Sequence, residues 1–361
     1  MQHSPSFQQA AWQRLKKNKG AVFGLVIILL SILTAVFSYF IAPDSSPYAN
    51  RIILEIGGEK PGYQRDFLKL KKEKEVNNTG FFTRLISGQE DKYYFIPIDS
   101  YNVTSDSIIV QKYIDEGLSE RLAYPLSQTA ENPVVNHRFM AGTDKYGRDI
   151  LSRIVVGTRV SLSVGLITVI ISLSIGLLLG SLAGFYRGKT DEIIMWFINV
   201  IWSIPTLLLV FAITLALGKG FWQVFIAVGL TMWVNVARLV RGQVLAEREK
   251  EYIEATRALG FSDLRTIVRH IWPNIMGPVM VIAASNFASA IVIEAGLSFL
   301  GVGVQPPMPS WGLMIKENYN FIITQNPMLA LAPGFAIMVL VLAFNLFGNG
   351  LRDALNVRGR I

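Results

Sequence analysis

RGQVLAEREKEYIEATRALGFSDLRTIVRHIWPNIMGP, residues 241–278, is a polar and basic block set between two uncharged apolar runs. Its first half predicts a helix over residues 246–259, because apolar or small side chains recur there at helical spacing. The side chains on this predicted face are Leu245, Tyr252, Thr256 and Leu259. Gly260 then predicts the end of the helix, since glycine adopts the left-handed conformation without a Cβ clash.

A second helix is predicted after the glycine. Ser262 and Asp263 are residue types that cap helix N-termini. Four apolar side chains follow at helical spacing, namely Leu264, Ile267, Val268 and Ile271. Pro273 lacks a backbone N–H and predicts the end of this helix. The block therefore predicts a helix, a glycine turn and a second helix.

The sequences on either side of the block decide whether it binds DNA or lies at a membrane surface. A basic helix-turn-helix can enter a DNA groove. However, Phe221–Ala237 before the block and Val279–Ile293 after it contain no charged residue and predict membrane-spanning helices. Because the block is tethered at a bilayer surface, we expect no nucleic-acid binding.

Composition indicates the same class of protein. Of the 361 residues, 51% are hydrophobic and only 17% are charged, which is typical of membrane proteins. There is no cysteine, which excludes disulfides, thiolate metal sites and cysteine nucleophiles. Residues 43–157 contain 15 Lys and Arg against 16 Asp and Glu, while the rest of the chain contains 19 against 10. The net charge of +8 therefore comes from outside residues 43–157.

In this membrane setting the block resembles the signature loop of permease subunits of binding-protein-dependent ABC importers. The resemblance is carried by Glu254-Ala255-Thr256, by Gly260 and by Trp272-Pro273, although Thr256 and Trp272 depart from the commonest residues of that family. It implies that the loop docks into a groove on a separate ATPase subunit, which binds ATP and Mg²⁺, and that this chain binds no cofactor. The residues that the resemblance assigns to ATPase coupling are Glu254, Ala255, Arg257, Gly260, Asp263 and Arg265, with the arginines as ion-pair partners.

We predict an all-α polytopic membrane protein with six transmembrane helices, a cytoplasmic coupling-helix loop and an extra extracytoplasmic domain between helices 1 and 2. The predicted divisions are a cytoplasmic N-terminal tail (1–20), transmembrane helix 1 (21–42), the extracytoplasmic insert and interfacial segment (43–157), the transporter core with helices 2–6 and the coupling loop 241–278 (158–350), and a cytoplasmic C-terminal tail (351–361). Helices 2, 3, 4 and 6 are predicted over 160–185, 193–217, 221–240 and 328–347, and helix 5 from Val279. Pro205 predicts a kink in helix 3. Basic residues gather in the tails and in the loops of one side, which the positive-inside rule assigns to the cytoplasm.

Helix 2 carries small residues at every fourth position, which predicts close packing against a neighbouring helix. These residues are Thr168, Ser172, Gly176, Gly180 and Gly184. Packing within the chain is favoured over a contact with another subunit. The glycines at 184 and 188 are too close together for a phosphate-binding loop, so no nucleotide site is predicted at this turn.

Residues 43–137 have the composition of a soluble domain, with charged residues every few positions. Strand-like pieces at 93–98 and 107–113 lie between turn-rich segments. We expect an added extracytoplasmic domain, and one hypothesis for its role is a docking surface for the binding protein.

The sequence AGTDKYGRDILSRIVVGTRVSL, residues 141–162, joins this insert to helix 2. Its candidate site residues are Gly142, Asp144, Gly147, Arg148 and Asp149. The two aspartates lack the ligand density that a divalent cation requires, so no metal site is predicted. The predicted role is structural: the glycines form turns, and Asp149 caps a short interfacial helix. The string resembles one in the dipeptide and oligopeptide branch of these permeases.

Besides Ser285 and Ser289, helix 5 carries Asn286 and Glu294 at membrane depth. A polar or ionisable group in hydrocarbon is costly, so both are candidates for the translocation path or its gate. Glu294 either lines the path or holds the turn at 296–303 by hydrogen bonds. The second role is favoured because residues 294–312, EAGLSFLGVGVQPPMPSWG, also resemble the peptide branch.

The combined resemblance implies a permease subunit of a dipeptide or oligopeptide ABC importer, a multi-pass protein of the bacterial cytoplasmic membrane that moves short peptides by alternating access. It implies no catalytic residue, because ATP would be hydrolysed by a separate subunit. The implied partners are a second homologous permease, two ATPase subunits, an extracytoplasmic substrate-binding protein and the lipid bilayer. The alternatives are another cargo, such as a nickel complex, glutathione or a peptide antibiotic, and a membrane-anchored sensor, for which six spans are more than is needed.

Overall fold

The chain forms two units in the computed structural model, which describes residues 7–74, 76–323 and 326–355. The transporter unit contains Met1–Ser31, Ser161–Val304 and Ile337–Ile361, and the sheet unit contains Ile32–Val160 and Gln305–Ala336. The outermost parts of the two predicted tails, residues 1–6 and 356–361, lie outside the described residues.

The chain is mostly helical. The helices are α1 Phe7–Lys17, α2 Lys19–Val36, α3 Ser38–Ile41, α4 Phe81–Ser87, α5 Ile150–Tyr186, α6 Gly188–Trp202, α7 Thr206–Leu217, α8 Phe221–Arg248, α9 Glu251–Ala258, α10 Asp263–Thr266, α11 Trp272–Phe299, α12 Trp311–Asn318 and α13 Met328–Leu355. A π-helical turn, Ile267–Ile271, joins α10 to α11, and short 3₁₀ turns occur at Pro47–Ala49, Leu54–Ile56, Leu126–Gln128 and Tyr319–Ile322.

Within the described residues, five helical stretches are long and apolar enough to cross a membrane. They are α2, α5, α8, the run Asp263–Phe299 and α13. The pair α6 and α7 passes the same test when taken together, which gives six spans if the pair is one span. This agrees with the predicted helical membrane protein of six spans.

The pair α6 and α7 differs from the predicted third helix at Pro205. The two helices meet at an angle of 91°, so the chain is broken there and not merely kinked. Pro205 occupies the N-cap of α7 with φ −54° and ψ 123°, an extended conformation that ends one helix before the next begins. Both halves are short, at 15 and 12 residues.

Helix α5 replaces two predicted elements. We expected a short interfacial helix and a separate second span, but residues 150–186 form one helix of 37 residues. Residues 150–159 contain no proline, and the one glycine there, Gly157, lies within the helix without interrupting it. At 1.5 Å per residue its length is about 55 Å, which exceeds the hydrocarbon thickness of about 30 Å.

The stripe of small residues on α5 packs against α8, as predicted. A Cβ on Gly176 would lie 2.5 Å from Cβ of Val236, and one on Gly180 would lie 2.5 Å from the carbonyl oxygen of Ala237. One on Gly184 would lie 2.8 Å from the carbonyl oxygen of Arg241. The two backbones therefore approach closely over three successive turns, a form of packing that stabilises helix pairs in membranes.

The first and last helices also pack together inside the transporter unit. Gly24 of α2 faces the backbone of α13, where a Cβ would lie 2.5 Å from the carbonyl oxygen of Ala343. Leu15, Ala21 and Ala354 form a small buried cluster at one end of this contact. These contacts join the two ends of the described chain.

Among its described residues the sheet unit contains five strands, β1 Tyr63–Lys71, β2 Tyr93–Val103, β3 Ser107–Asp115, β4 Leu118–Pro125 and β5 Thr129–Phe139. They form one antiparallel sheet in the order β4-β3-β2-β1-β5. The strand-like pieces predicted at 93–98 and 107–113 are confirmed as parts of β2 and β3. The interior strand β1, which lies between β2 and β5, was not predicted, because its charged residues hide the apolar pair at its centre.

Strand β1 is buried on both faces at its centre. Phe67 and Leu68 are each 0% exposed, and successive side chains of a strand point to opposite faces. Phe67 belongs to a cluster with Ile53, Ile56, Tyr113 and Phe139. Leu68 belongs to a cluster with Ile98, Ile108 and Val110. The sheet therefore has a core on each side.

Replacing Gly180 with alanine tests the contact between α5 and α8. The added Cβ would meet the carbonyl oxygen of Ala237 at 2.5 Å, so the helices must move apart. We expect a loss of about 1–3 kcal/mol, the usual range for overpacking. Thermal unfolding of the purified protein in nanodiscs measures the loss. The control is Gly242→Ala, where no atom lies within 4 Å of the new Cβ. Equal unfolding midpoints in both variants would contradict the packing described above.

The imidazole of His137 is enclosed by aromatic rings in the sheet unit. Its ring centroid lies 5.6 Å from those of Phe67 and Phe95. Burial lowers the pKa of His137 from its ordinary value, and the Arg51 guanidinium lowers it further. Because the folded-state pKa is the lower one, the unfolded chain binds the proton first as the pH falls. The contribution of the neutral imidazole to the free energy of unfolding is therefore fully present above about pH 6.5 and is lost below it.

We expect backbone amides of β1 and β5 to exchange hydrogen faster at about pH 5.5 than at about pH 7.5, after correction for intrinsic rates. Mass spectrometry of the full-length protein measures this exchange. In His137→Gln, which cannot titrate, the difference between the two pH values should shrink. A variant with the full pH dependence of the parent would show that His137 is not its source.

Candidate functional site

The 241–278 block begins inside a membrane helix. Helix α8 continues to Arg248, and the chain breaks at Glu249 and Lys250 before α9 starts at Glu251. The predicted single helix over 246–259 is therefore wrong at its start. The break turns α9 so that Ile253, which is 1% exposed, reaches the apolar core beneath the block.

The buried face of α9 also differs from the prediction. Ile253 and Thr256 are buried, whereas Tyr252 is 38% exposed and Leu259 is 72% exposed. The Thr256 hydroxyl donates to the carbonyl oxygen of Ile253 at 2.7 Å and lies 3.4 Å from the Thr266 hydroxyl of the next helix. Thr256, which departs from the family's commonest residue, thus links the two short helices.

The glycine turn forms as predicted. Gly260 has φ +75°, the left-handed region that favours glycine. Ser262 is the N-cap of α10, and its hydroxyl accepts a hydrogen bond from the backbone N–H of Arg265 at 3.4 Å. Both predictions are confirmed. Each concerns a local conformation that is set by neighbouring residues.

Pro273 does not end the second helix, contrary to the prediction. It lies in the first turn of α11, where a missing N–H has no helical partner to lose. The N–H of Trp272 donates to the carbonyl oxygen of Ile267, five residues earlier, in the widened π-helical turn. This turn admits the proline, so the run from Asp263 to Phe299 is continuous.

The inner face of the block is anchored on three membrane helices, α5, α8 and, through Val279, α11. Ile253, Ile267 and Ile271 pack in one cluster with Phe185 of α5 and Val244 of α8. The indole of Trp272, the other departure from the family pattern, donates to the hydroxyl of Ser181 of α5 at 2.9 Å.

Tyr252 adds a polar anchor between α8, α9 and α11. Its hydroxyl donates to Glu247 at 2.7 Å and accepts from the amide of Asn274 at 3.0 Å. Burial, together with the Glu247 carboxylate, raises the pKa of Tyr252 to about 12. The hydroxyl therefore stays protonated and can keep donating at neutral pH.

The six residues predicted to couple to an ATPase lie together on the exposed side of the block. They are Glu254, Ala255, Arg257, Gly260, Asp263 and Arg265. Neither arginine forms an ion pair with another described residue. The Arg257 guanidinium lies 5.3 Å from the ring of Phe185, and that of Arg265 lies 4.2 Å from the ring of Phe261. Their role as ion-pair partners in coupling to the ATPase stays a prediction.

Two leucines beside these residues were missed by sequence reasoning. Leu259 and Leu264 are 72% and 73% exposed, on either side of Gly260. Periodicity assigned both to buried faces, because it cannot distinguish a side chain packed on its own chain from one left for a partner. Exposed apolar side chains on an otherwise polar block are typical of a protein interaction site.

The predicted motif at 142–149 lies in the sheet unit and is built around two tight turns. Gly142 and Gly147 have φ +79° and +72°. A Cβ on Gly142 would collide with the carbonyl oxygen of Glu59, and one on Gly147 with that of Ile53. Both positions therefore require glycine. They bring the motif against the segment that precedes the sheet.

Asp144 and Arg148 form a buried ion pair at the centre of this motif. The Asp144 carboxylate accepts from the backbone N–H groups of Tyr146 and Arg148 at 2.9 and 3.0 Å, and from Nε of Arg148 at 2.6 Å. Nη2 of Arg148 donates to Glu317 of α12 at 2.7 Å. Arg153, 1% exposed, lies 3.6 Å from Glu317 and 3.8 Å from Asp144. Glu317 gave no signal in the sequence.

Asp149 caps α5. Its carboxylate accepts from the backbone N–H of Ser152 at 2.9 Å and from the Ser152 hydroxyl. That hydroxyl accepts from the N–H of Asp44 at 2.8 Å. Burial raises the pKa of Asp149, an effect that the two hydrogen bonds from Ser152 oppose. In the described ranges 7–74, 76–323 and 326–355, no group of three Asp, Glu or His side chains could hold a metal ion.

Glu294 of α11 is fully buried and bonded to the turn that follows the helix. Its carboxylate accepts from the Ser298 hydroxyl at 2.6 Å, and this hydroxyl accepts from the N–H of Val304 at 3.0 Å. Gly303 packs directly against Ser298. The carboxylate thus contributes to the structure of the turn at 296–303.

Asn286 lines a cleft of about 350 Å³ in the transporter unit, whereas Glu294 does not. The cleft lies between the break of α6 and α7, the middle of α8 and the middle of α11. Its lining residues are Ile201, Trp202, Ile204, Thr206, Leu209, Thr231, Met232, Asn235, Ile282, Ser285, Asn286, Ser289 and Ile293. All are uncharged, and seven of them are polar or carry a polar ring atom.

Residues 176–360 match the family described as "Binding-protein-dependent transport system inner membrane component". Residues 6–54 match "N-terminal TM domain of oligopeptide transport permease C". The first match contains the whole 241–278 block and the cleft.

Curated relatives agree with this match. The chain is 31% identical to the dipeptide transport system permease protein DppC of Lactococcus lactis, over 98% of this chain and 91% of the relative. It is 30% identical to that of Bacillus subtilis, over 99% and 88%. It is 43% identical to the glutathione transport system permease protein GsiD of Pectobacterium atrosepticum, over 60% and 71%.

The family match extends over half of the chain, and the similarity to two relatives runs along nearly its whole length. The chain therefore belongs to the family of binding-protein-dependent transport system inner membrane components, as a permease subunit of an ABC importer whose ATPase is a separate subunit.

Proposed function

We propose that this chain moves short peptides across the membrane by alternating access. The observation that carries the mechanism is the 241–278 block, whose inner face is anchored on α5, α8 and α11 while Leu259 and Leu264 are left exposed. An ATPase subunit that covers these leucines would bind the block at the turn around Gly260. Its closure on ATP would then act on the membrane helices through the buried isoleucines.

In this proposal, the six coupling residues contact the ATPase around the turn at Gly260. Glu254 and Ala255 present the exposed side of α9, Gly260 fixes the turn, and Asp263 begins α10. Arg257 and Arg265 lie over aromatic rings and are free of intrachain ion pairs among the described residues, so both can pair with acidic groups of the ATPase.

The orientation in the membrane follows from charge. The block carries six Lys and Arg residues, whereas the loops that contain Lys219 and Lys316 carry one each, and the positive-inside rule assigns the more basic short loops to the cytoplasm. With six spans, both termini are then cytoplasmic and the sheet unit is extracytoplasmic. The motif at 142–149 and Glu294 act as structural elements, because their charged groups are bonded within the chain.

The complete importer would contain a second homologous permease, two ATPase subunits and an extracytoplasmic substrate-binding protein. The cleft beside Asn286 is open to the outside of this chain along the exposed break between α6 and α7. A second permease facing this side would complete an enclosed path across the bilayer.

Peptide cargo is favoured over glutathione by the extent of similarity. The glutathione permease matches 60% of this chain and two other dipeptide permeases match 64% and 61%, whereas the dipeptide permeases of Lactococcus lactis and Bacillus subtilis match 98% and 99%. The full-length matches extend over the sheet unit. Glutathione remains the second candidate because it is itself a peptide and because its permease has the higher identity, 43%.

Replacing both Leu259 and Leu264 with serine tests the docking face. Each substitution removes an exposed apolar side chain without disturbing the buried cluster. We expect weaker binding of the ATPase subunits by about 2–4 kcal/mol in total, with the fold retained, because full burial of a leucine contributes about 1.5–3 kcal/mol. Binding of purified ATPase to the permease in nanodiscs measures the effect.

The matched control is Leu54→Ser, a 67% exposed leucine in the sheet unit, which should leave ATPase binding unchanged. Equal ATPase affinity in the double variant and in the parent would exclude this face as the docking site.

The cargo is tested by uptake into proteoliposomes that contain the whole importer and its binding protein. We expect ATP-dependent accumulation of labelled dipeptides and tripeptides. Glutathione and a nickel complex are the comparison cargoes. Uptake of glutathione without uptake of dipeptides would replace the proposed cargo and leave the importer mechanism intact.

A further inference from the structure

The cleft in the transporter unit offers hydrogen-bond donors at the break between α6 and α7. Helix α7 begins at Thr206, which lines the cleft, and no side chain caps its N-terminus. The first N–H groups of a helix have no partner within it, and the helix dipole gives this end a partial positive charge. Such an end favours an anion.

On the other side of the break, three of the last four carbonyls of α6 are already bonded. The Ser203 N–H donates to the carbonyl of Asn199 at 3.0 Å, and the Ser203 hydroxyl donates to that of Val200 at 2.7 Å. The Ile204 N–H donates to the carbonyl of Ile201 at 3.2 Å. The break therefore presents more donors than acceptors.

The side chain of Asn286 is a second, independent observation that indicates a ligand in the cleft. Its side chain is 4% exposed and lines the cleft, yet its amide Nδ2 has no hydrogen-bond partner among the described residues. A buried amide without a partner is costly. A half-turn of the amide exchanges its nitrogen and oxygen, so the group can direct its N–H donors toward a bound molecule.

A positively charged side chain, Arg238, contacts the wall of the cleft. Arg238 lies three residues after Asn235, on the same side of α8. Its Cζ is 3.5 Å from the ring centroid of Trp202, which forms a wall of the cleft. Its Nη2 donates to Asn199 at 3.1 Å, and its Nε has no partner in the described part of the chain. No acidic side chain lines the cleft.

We propose that this cleft binds the carboxylate of the transported peptide, with the N-terminus of α7 and the amide of Asn286 as donors and Arg238 as the nearby positive charge. The inference rests on the proposed peptide cargo. A protonated peptide amine would find no carboxylate in this cleft, whereas a peptide carboxylate finds donors on two sides. The membrane subunit would then select peptides with a free carboxylate, in addition to the selection made by the binding protein.

The test compares one dipeptide with a free C-terminal carboxylate and the same dipeptide as its C-terminal amide. Proteoliposomes contain the complete importer, and the binding protein is saturated with either peptide before ATP is added, which removes its own preference. In Asn286→Asp a carboxylate replaces a neutral amide of the same shape. We expect uptake of the free acid to fall about tenfold or more, because like charges repel strongly at a desolvated site. Uptake of the amide should change less than about twofold, because that peptide has no carboxylate to repel.

Asn102→Asp, on the exposed end of β2, is the matched control and should leave the ratio of the two uptake rates unchanged. If Asn286→Asp does not assemble, Asn235→Asp introduces the same charge on an exposed residue of the same cleft. A variant that lowers both uptake rates equally, or neither, would overturn the carboxylate site. Failure of the unsubstituted importer to take up either peptide would instead refute the peptide cargo.

Discussion

The close approach of α5 and α8 is the constraint on which the transporter unit depends. Lipid chains are as apolar as leucine side chains, so helices in a membrane associate through tight packing and not through exclusion of water. Gly176, Gly180 and Gly184 permit contact between the two backbones over three turns. At the end of this contact, Ser181 and Phe185 of α5 bind Trp272 and the isoleucines of the 241–278 block. The helix pair and the block are thus one continuous packing arrangement.

The features that could be predicted from the sequence are those set by nearby residues or by a regular pattern. The glycine turn at Gly260 and the cap at Ser262 depend on local conformation, and the stripe on α5 depends on a four-residue repeat. The apolar spans follow from composition. The family resemblance rested on short strings, and the match over residues 176–360 agrees with it.

The features that could not be predicted depend on distant residues or on partners. Ile253 replaces Leu259 on the buried face of α9 because the chain breaks after Arg248, a break that has no proline or glycine to mark it. Pro273 is admitted by a π-helical turn, which a hydrophobic period does not reveal. Glu317 reaches Arg148 across 169 residues of sequence, so neither residue alone indicates the pair.

The exposure of Leu259 and Leu264 also affects the stability of the unassembled subunit in the cell. A permease that lacks its ATPase subunits would present two bare leucines on a water-facing loop, beside a turn that proteases and chaperones can reach. If the ATPase covers these leucines, as proposed above, such a surface would distinguish an incomplete importer from a finished one. Surplus subunits would be removed or aggregate, which favours synthesis of the permease and its ATPases in matched amounts.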